Sequence, residues 1–148
     1  MTLDLAITNG TILDGSGQDP FVGDVAIENG RIADIGVIEL PVGVPTLDAT
    51  DLYVAPGFVH IHGHSDFTLV VDPRAVSSIT QGVTLEIVGN RGHGCAPIRD
   101  PKLARSNIYG CPADHSIPWR GMAEYLDRLE AGRPAVNVAT LVPNGLFV

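Results

Sequence analysis

Few groups in this chain are of the kinds that reveal function at a glance. Only two cysteines, Cys95 and Cys111, occur in 148 residues, which excludes a disulfide framework and leaves free thiols or a metal ligand. Lys and Arg together number 9 against 17 Asp and Glu, a net charge of −8. With no basic stripe to neutralise phosphates, neither nucleic acid nor an anionic membrane surface is an expected partner. The acidic residues are scattered and read as solvated surface. No apolar run approaches the ~20 residues of a membrane-spanning helix. The opening "MTLDLAITNG" has neither the basic start nor the apolar centre of a secretory signal. The cytoplasm is the expected compartment. Internal repeats and low-complexity tracts are absent as well.

The composition is that of a folded chain, 45% hydrophobic and 18% charged, long enough for one domain or one and a half. Residues 1–54 read as β-structure. "LDLAIT" and "DVAIE" alternate, and they run into Asn9-Gly10 and Asn29-Gly30. Asn-Gly between alternating apolar residues predicts a type I′ hairpin turn at each place. The intervening "GSGQDP" is a loop in which no lysine or helix pattern supports phosphate binding.

From Leu52 the rhythm changes. A strand over "LYVAPGFVHIH" is broken by Ala55-Pro56-Gly57, and "DPRAVSSITQG" (72–82) predicts a short helix with Asp72 as cap, Pro73 at its first position and Gly82 as stop. "VTLEIVGN" (83–90) has the near-continuous apolar character of a strand covered on both faces. A Gly- and Pro-rich excursion over 91–118 leads to a helix over 119–132, in which Met122, Tyr125, Leu126 and Leu129 share a face, and then to a strand over 135–143. This order is a parallel α/β pattern, divided as 1–54 and 55–148.

The chemistry concentrates in "APGFVHIHGHSDF", residues 55–67. On a continuous strand, His60, His62 and His64 project to one side with Phe58 and Asp66. Neutral imidazoles two residues apart can share one cation, and zinc accepts nitrogen at ~2.0–2.1 Å. The alternative is a solvated, hydrogen-bonded histidine cluster. A pair that ends a buried-type strand favours metal, because α/β barrels carry their sites at the C-terminal ends of strands.

"VAPGFVHIHGHSD" resembles the Pro-Gly-Phe-hydrophobic-Asp-x-His-x-His signature of the amidohydrolase superfamily, and "SSITQGVTLEIVGNRGHGCAPI" is similar to a stretch of the N-acyl-D-amino-acid deacylases, or D-aminoacylases. The resemblance runs to about Asn144 and covers the first third of such an enzyme. It implies an N-terminal β-sandwich segment followed by a partial (β/α)8 TIM-type barrel of about three strands. It further implies one or two zinc ions held in part by His62 and His64, and hydrolysis of a small N-acyl amino acid. Asp66 falls where these enzymes carry an acid, and a contact with the metal shell, a ligand-orienting role and a plain N-cap are all open to it.

Three departures follow from the same comparison. His60 stands where the family has aspartate, and it either adds a nitrogen or removes an acceptor. Arg91 occupies the position of a ligating cysteine and cannot donate to zinc. Cys95 or His93 would have to stand in, or both are uncoordinated. Cys111 and His115 are expected to be non-ligating. Ligands and the catalytic aspartate of later barrel strands have no counterpart here, so the chain reads as the front portion of an enzyme, inactive alone and prone to association through uncovered faces. Two other readings remain: a non-catalytic remnant that at most binds zinc, and a cyclic amide hydrolase of the hydantoinase or dihydroorotase type.

Overall fold

The computed structural model describes residues 3–100, 104–105, 108–112 and 114–144. The last part of the expected closing segment "LVPNGLFV", residues 145–148, lies outside them. Two compact units divide at Pro56 and Gly57.

The first unit is a five-stranded sheet. Strands β1 (Leu5–Ile12), β2 (Phe21–Glu28) and β3 (Arg31–Gly36) form an antiparallel meander. The free edge of β1 pairs in parallel first with β4 (Thr46–Asp48) and then with β5 (Tyr53–Val54). Asn29-Gly30 makes the expected tight turn, both residues at positive φ (52° and 69°), with Glu28 opposite Arg31. Asn9-Gly10 does not. It is a one-residue bulge inside a continuous β1, since the register passes from Ile7–Val25 to Gly10–Gly23. Asn9 takes φ 60°, its N–H donates to Asp24 Oδ1 at 3.0 Å, and its side chain donates to Asp48 Oδ1 at 3.1 Å. Local sequence permits turn or bulge alike; the partners on β2 and β4 select the bulge. The sandwich expected over this segment takes the form of one sheet among the described residues.

The second unit carries the histidines. Strands β6 (Phe58–His60), β7 (Val83–Val88) and β8 (Asn137–Thr140) are parallel and lie side by side in chain order. Between β6 and β7 the predicted single helix is replaced by two short ones, α1 (Thr68–Val71) and α2 (Val76–Ile79). Asp72 caps neither. Its carboxylate accepts from the Arg74 N–H and pairs with the guanidinium at 2.7 Å, and Ala75 at φ 47° turns the chain into α2. Gly82 at φ 77° ends this segment as expected.

Helix α3 (Met122–Gly132) precedes β8. Glu124 accepts from the Gly121 N–H at 3.1 Å, a capping-box contact that satisfies an otherwise orphaned donor. Arg133, at φ 51°, closes the helix one residue beyond the predicted stop. Tyr125 and Leu129 enter the core with Phe67, Leu69, Ile98, Trp119 and Val136, whereas Leu126 stays exposed. Burial of each large side chain contributes about 1.5–3 kcal/mol. Trp119 Nε1 donates to the Cys95 carbonyl at 2.7 Å, which ties the irregular segment after β7 to this core.

Candidate metal centre

The histidine segment departs from the extended strand expected of it. Strand β6 ends at His60, and the chain then bends toward the C-terminal end of β7. The Gly63 N–H donates to the Ile87 carbonyl at 3.1 Å, and Asn90 Nδ2 donates to the carbonyls of Gly63 (3.2 Å) and Ile87 (2.8 Å). His62 and His64 therefore sit in a loop, and His60 alone remains on the strand. Their rings nevertheless converge, with centroids 5.4 Å apart and planes at 65°. A tetrahedral zinc with nitrogens at ~2.0–2.1 Å would hold two imidazole centres roughly 5 Å apart. The pair fits two positions of such a site.

His64 Nδ1 is buried with no hydrogen-bond partner. A buried nitrogen of this kind calls for a donor, an ion or water. One face of the His64 ring stacks on Tyr109 at 5.4 Å and 27°. Tyr109 belongs to the irregular excursion, and no periodicity marks it in the sequence. His93 is also drawn in, 6.1 Å from both His64 and Tyr109, farther than the spacing of the His62–His64 pair.

The remaining candidates are placed differently. Among the described residues, no three of His, Cys, Asp and Glu are grouped closely enough to hold a metal ion. Cys95 is 1% exposed within the apolar core, and its thiol pKa is driven far up by burial and then by the nearby Asp66 charge. A thiol kept protonated is a poor metal ligand. Arg91 is exposed, at φ 57° in the 3₁₀ turn Asn90–Gly92. Cys111 is half-buried, and His115 meets the Phe67 ring edge-on at 4.9 Å.

Asp66 turns inward rather than alongside the histidines. It is 3% exposed and accepts from the Gly89 N–H at 2.7 Å. It does not cap α1, whose N-cap is Phe67 with no side-chain bond. Burial raises its carboxyl pKa, opposed by its own and the Gly89 backbone N–H groups and by His64. The Asp66 carbonyl accepts from the buried Tyr125 hydroxyl at 2.8 Å. Sequence reasoning also passed over Glu86, a buried acid in β7 whose signal was a lone charge in "VTLEIV".

No family model matches the chain. Curated relatives do. It is 39% identical over 140 residues to the N-acyl-D-glutamate deacylase of Alcaligenes xylosoxydans xylosoxydans and 35% identical over 144 residues to the D-aminoacylase of the same organism. The matches take in 95% and 94% of this chain and 28% of each relative. The N-acyl-D-glutamate deacylase of Bordetella bronchiseptica, solved with zinc and a phosphonate mimic of the tetrahedral intermediate, superposes with a TM-score of 0.82 at 34% identity, over 99% of this chain and 30% of that one. An L-hydantoinase from Arthrobacter aurescens, at 18% identity and TM-score 0.58, shares the fold alone.

Parallel strands with paired imidazoles at their C-terminal ends and these similarities together place the chain among the amidohydrolases, hydrolases of non-peptide C–N bonds. More narrowly, it is a homologue of the N-acyl-D-amino-acid deacylases, and it spans under a third of the length of the relatives it matches.

Proposed function

We propose that this chain forms the metal-binding entry to a zinc-dependent N-acyl-D-amino-acid deacylase, with β6, β7 and β8 as the opening strands of a (β/α)8 barrel. The observation that carries the reading is the convergence of His62 and His64 at the end of β6, with His64 Nδ1 buried and unpartnered. His62 and His64 would hold one zinc ion. When bound, zinc lowers the pKa of water toward ~7 and polarises the amide carbonyl.

The protein's own groups prepare the site. Tyr109 covers one face of the His64 ring and limits its rotation. Asn90 and the Ile87 carbonyl hold Gly63, and Asp66 secures the far end of the loop to Gly89. Asp66 is thus a residue that orients ligands in this reading. The substrate would be a small N-acyl D-amino acid.

The count of donors favours a further limit. With no third donor grouped beside the pair among the described residues, the expectation is that His62 and His64 take up metal while the chain alone turns no substrate over. Zinc per mole of purified chain and release of free amino acid from N-acetyl-D-glutamate, N-acetyl-D-aspartate and N-acetyl-D-leucine test both parts. Bound zinc with no release is expected. Release by the chain alone would overturn the limit, and a chain without zinc would overturn the ligand assignment.

A further inference from the structure

We propose that Glu86 is a positioning residue that pins the His62–His64 loop for metal binding, an inference resting on the metal-binding reading above. Glu86 lies in the middle of β7 and is 1% exposed. A carboxylate taken out of water is costly unless hydrogen-bonded or paired. Glu86 meets this need through hydroxyls. Ser65 Oγ donates to its Oε2 and Ser78 Oγ, from α2, donates to its Oε1.

The location of those bonds gives them meaning. Ser65 directly follows His64, and Glu86 Oε2 lies 3.4 Å from where a Cβ on Gly63 would project. The carboxylate therefore abuts the residues on both sides of His64. The Gly63 backbone is held by Ile87 and Asn90, and the Ser65 side chain is held by Glu86, so the ring between them has little freedom. His60, opposite Glu86 in the parallel register, projects to the same side of the sheet.

An apolar residue in this place would serve the fold about as well, because it removes the cost of burying a carboxyl group and leaves behind two serines that are only half-buried and can turn their hydroxyls to water. What the carboxylate adds is orientation of the loop. Partners that orient metal ligands typically change metal affinity by about 10- to 100-fold when removed. Stability and zinc affinity should therefore separate in Glu86→Leu, and Glu86→Gln, which can still bond both serines, should restore binding.

The test uses the full chain and zinc alone, in competition with a chromophoric chelator, with thermal unfolding run in parallel. Glu86→Leu is expected to unfold near the unsubstituted midpoint yet bind zinc at least ~10-fold more weakly, with Glu86→Gln within about threefold of the unsubstituted chain. Should Glu86→Leu fail to fold, Ser65→Ala removes the same tie from a half-buried position and is expected to show the same loss. Unchanged affinity in the variant that folds, or a Gln variant as weak as the Leu variant, would overturn the role. An unsubstituted chain that binds no zinc would instead remove the metal-binding reading beneath it.

Discussion

Replacing Tyr125 by Phe removes the hydroxyl that joins helix α3 to the Asp66 carbonyl and also meets the Cys95 thiol. The Tyr125 ring is wholly buried beside Trp119, with centroids 5.7 Å apart, and Phe retains that packing. The hydroxyl donates to the Asp66 carbonyl at 2.8 Å, and burial keeps the phenol protonated by pushing its pKa far up. Its removal leaves a buried carbonyl without a donor, a cost of about 1–3 kcal/mol. At a urea m-value of about 1–3 kcal/mol/M, the midpoint should fall by roughly 1 M with unchanged slope. Trp119 is the only tryptophan and lies in the second unit's core, so its fluorescence reports that unit's unfolding. A midpoint identical to that of the unsubstituted chain would refute the account of how α3 holds Asp66.

Three further outcomes are expected. Cys95 should stay inert toward a disulfide reagent in the folded chain and react only on unfolding, because burial holds its thiol protonated; prompt labelling of Cys95 by mass spectrometry would contradict its place in the core. Gly89→Ala should cost roughly 2–4 kcal/mol in the same urea assay, since φ is 80° and the new methyl would collide with the Leu141 carbonyl; a loss near zero would mean a different path out of β7. For Asp66, whose carboxyl pKa is raised on folding, the folded state retains the proton longer than the unfolded one, so stability is lost as pH rises from ~3.8 through the raised value. The metal-free Asp66→Asn chain should lack that decline, and parallel stability–pH curves for the two would contradict it.

Much of this arrangement is legible in residue order. Strong local signals translated directly: Asn29-Gly30 made its turn, Gly82 ended a segment, and "VTLEIV" became a central parallel strand. The same dipeptide at Asn9-Gly10 became a bulge, because Asp24 and Asp48, remote in sequence, supply its partners. The histidine pair was readable from H-x-H, but its loop geometry was not, since Asn90 and Ile87 draw Gly63 out of line with β6. Tyr109 reaches His64 from an irregular segment, and no spacing rule could place it there. Glu86 was visible as one acid in an apolar run, and only its serine partners show what it does.

The proposed metal site requires that His62 and His64, whose rings lie 5.4 Å apart, take up one divalent ion together. Following the imidazole nitrogen resonances of all five histidines by NMR while zinc is added tests this most directly. His62 and His64 should shift together and saturate at one equivalent, with the Nδ1 of His64 the newly occupied nitrogen, and His64 should no longer respond to zinc in His62→Ala. Zinc that moved His60 or His115 instead, or left His64 unperturbed at saturation, would contradict it.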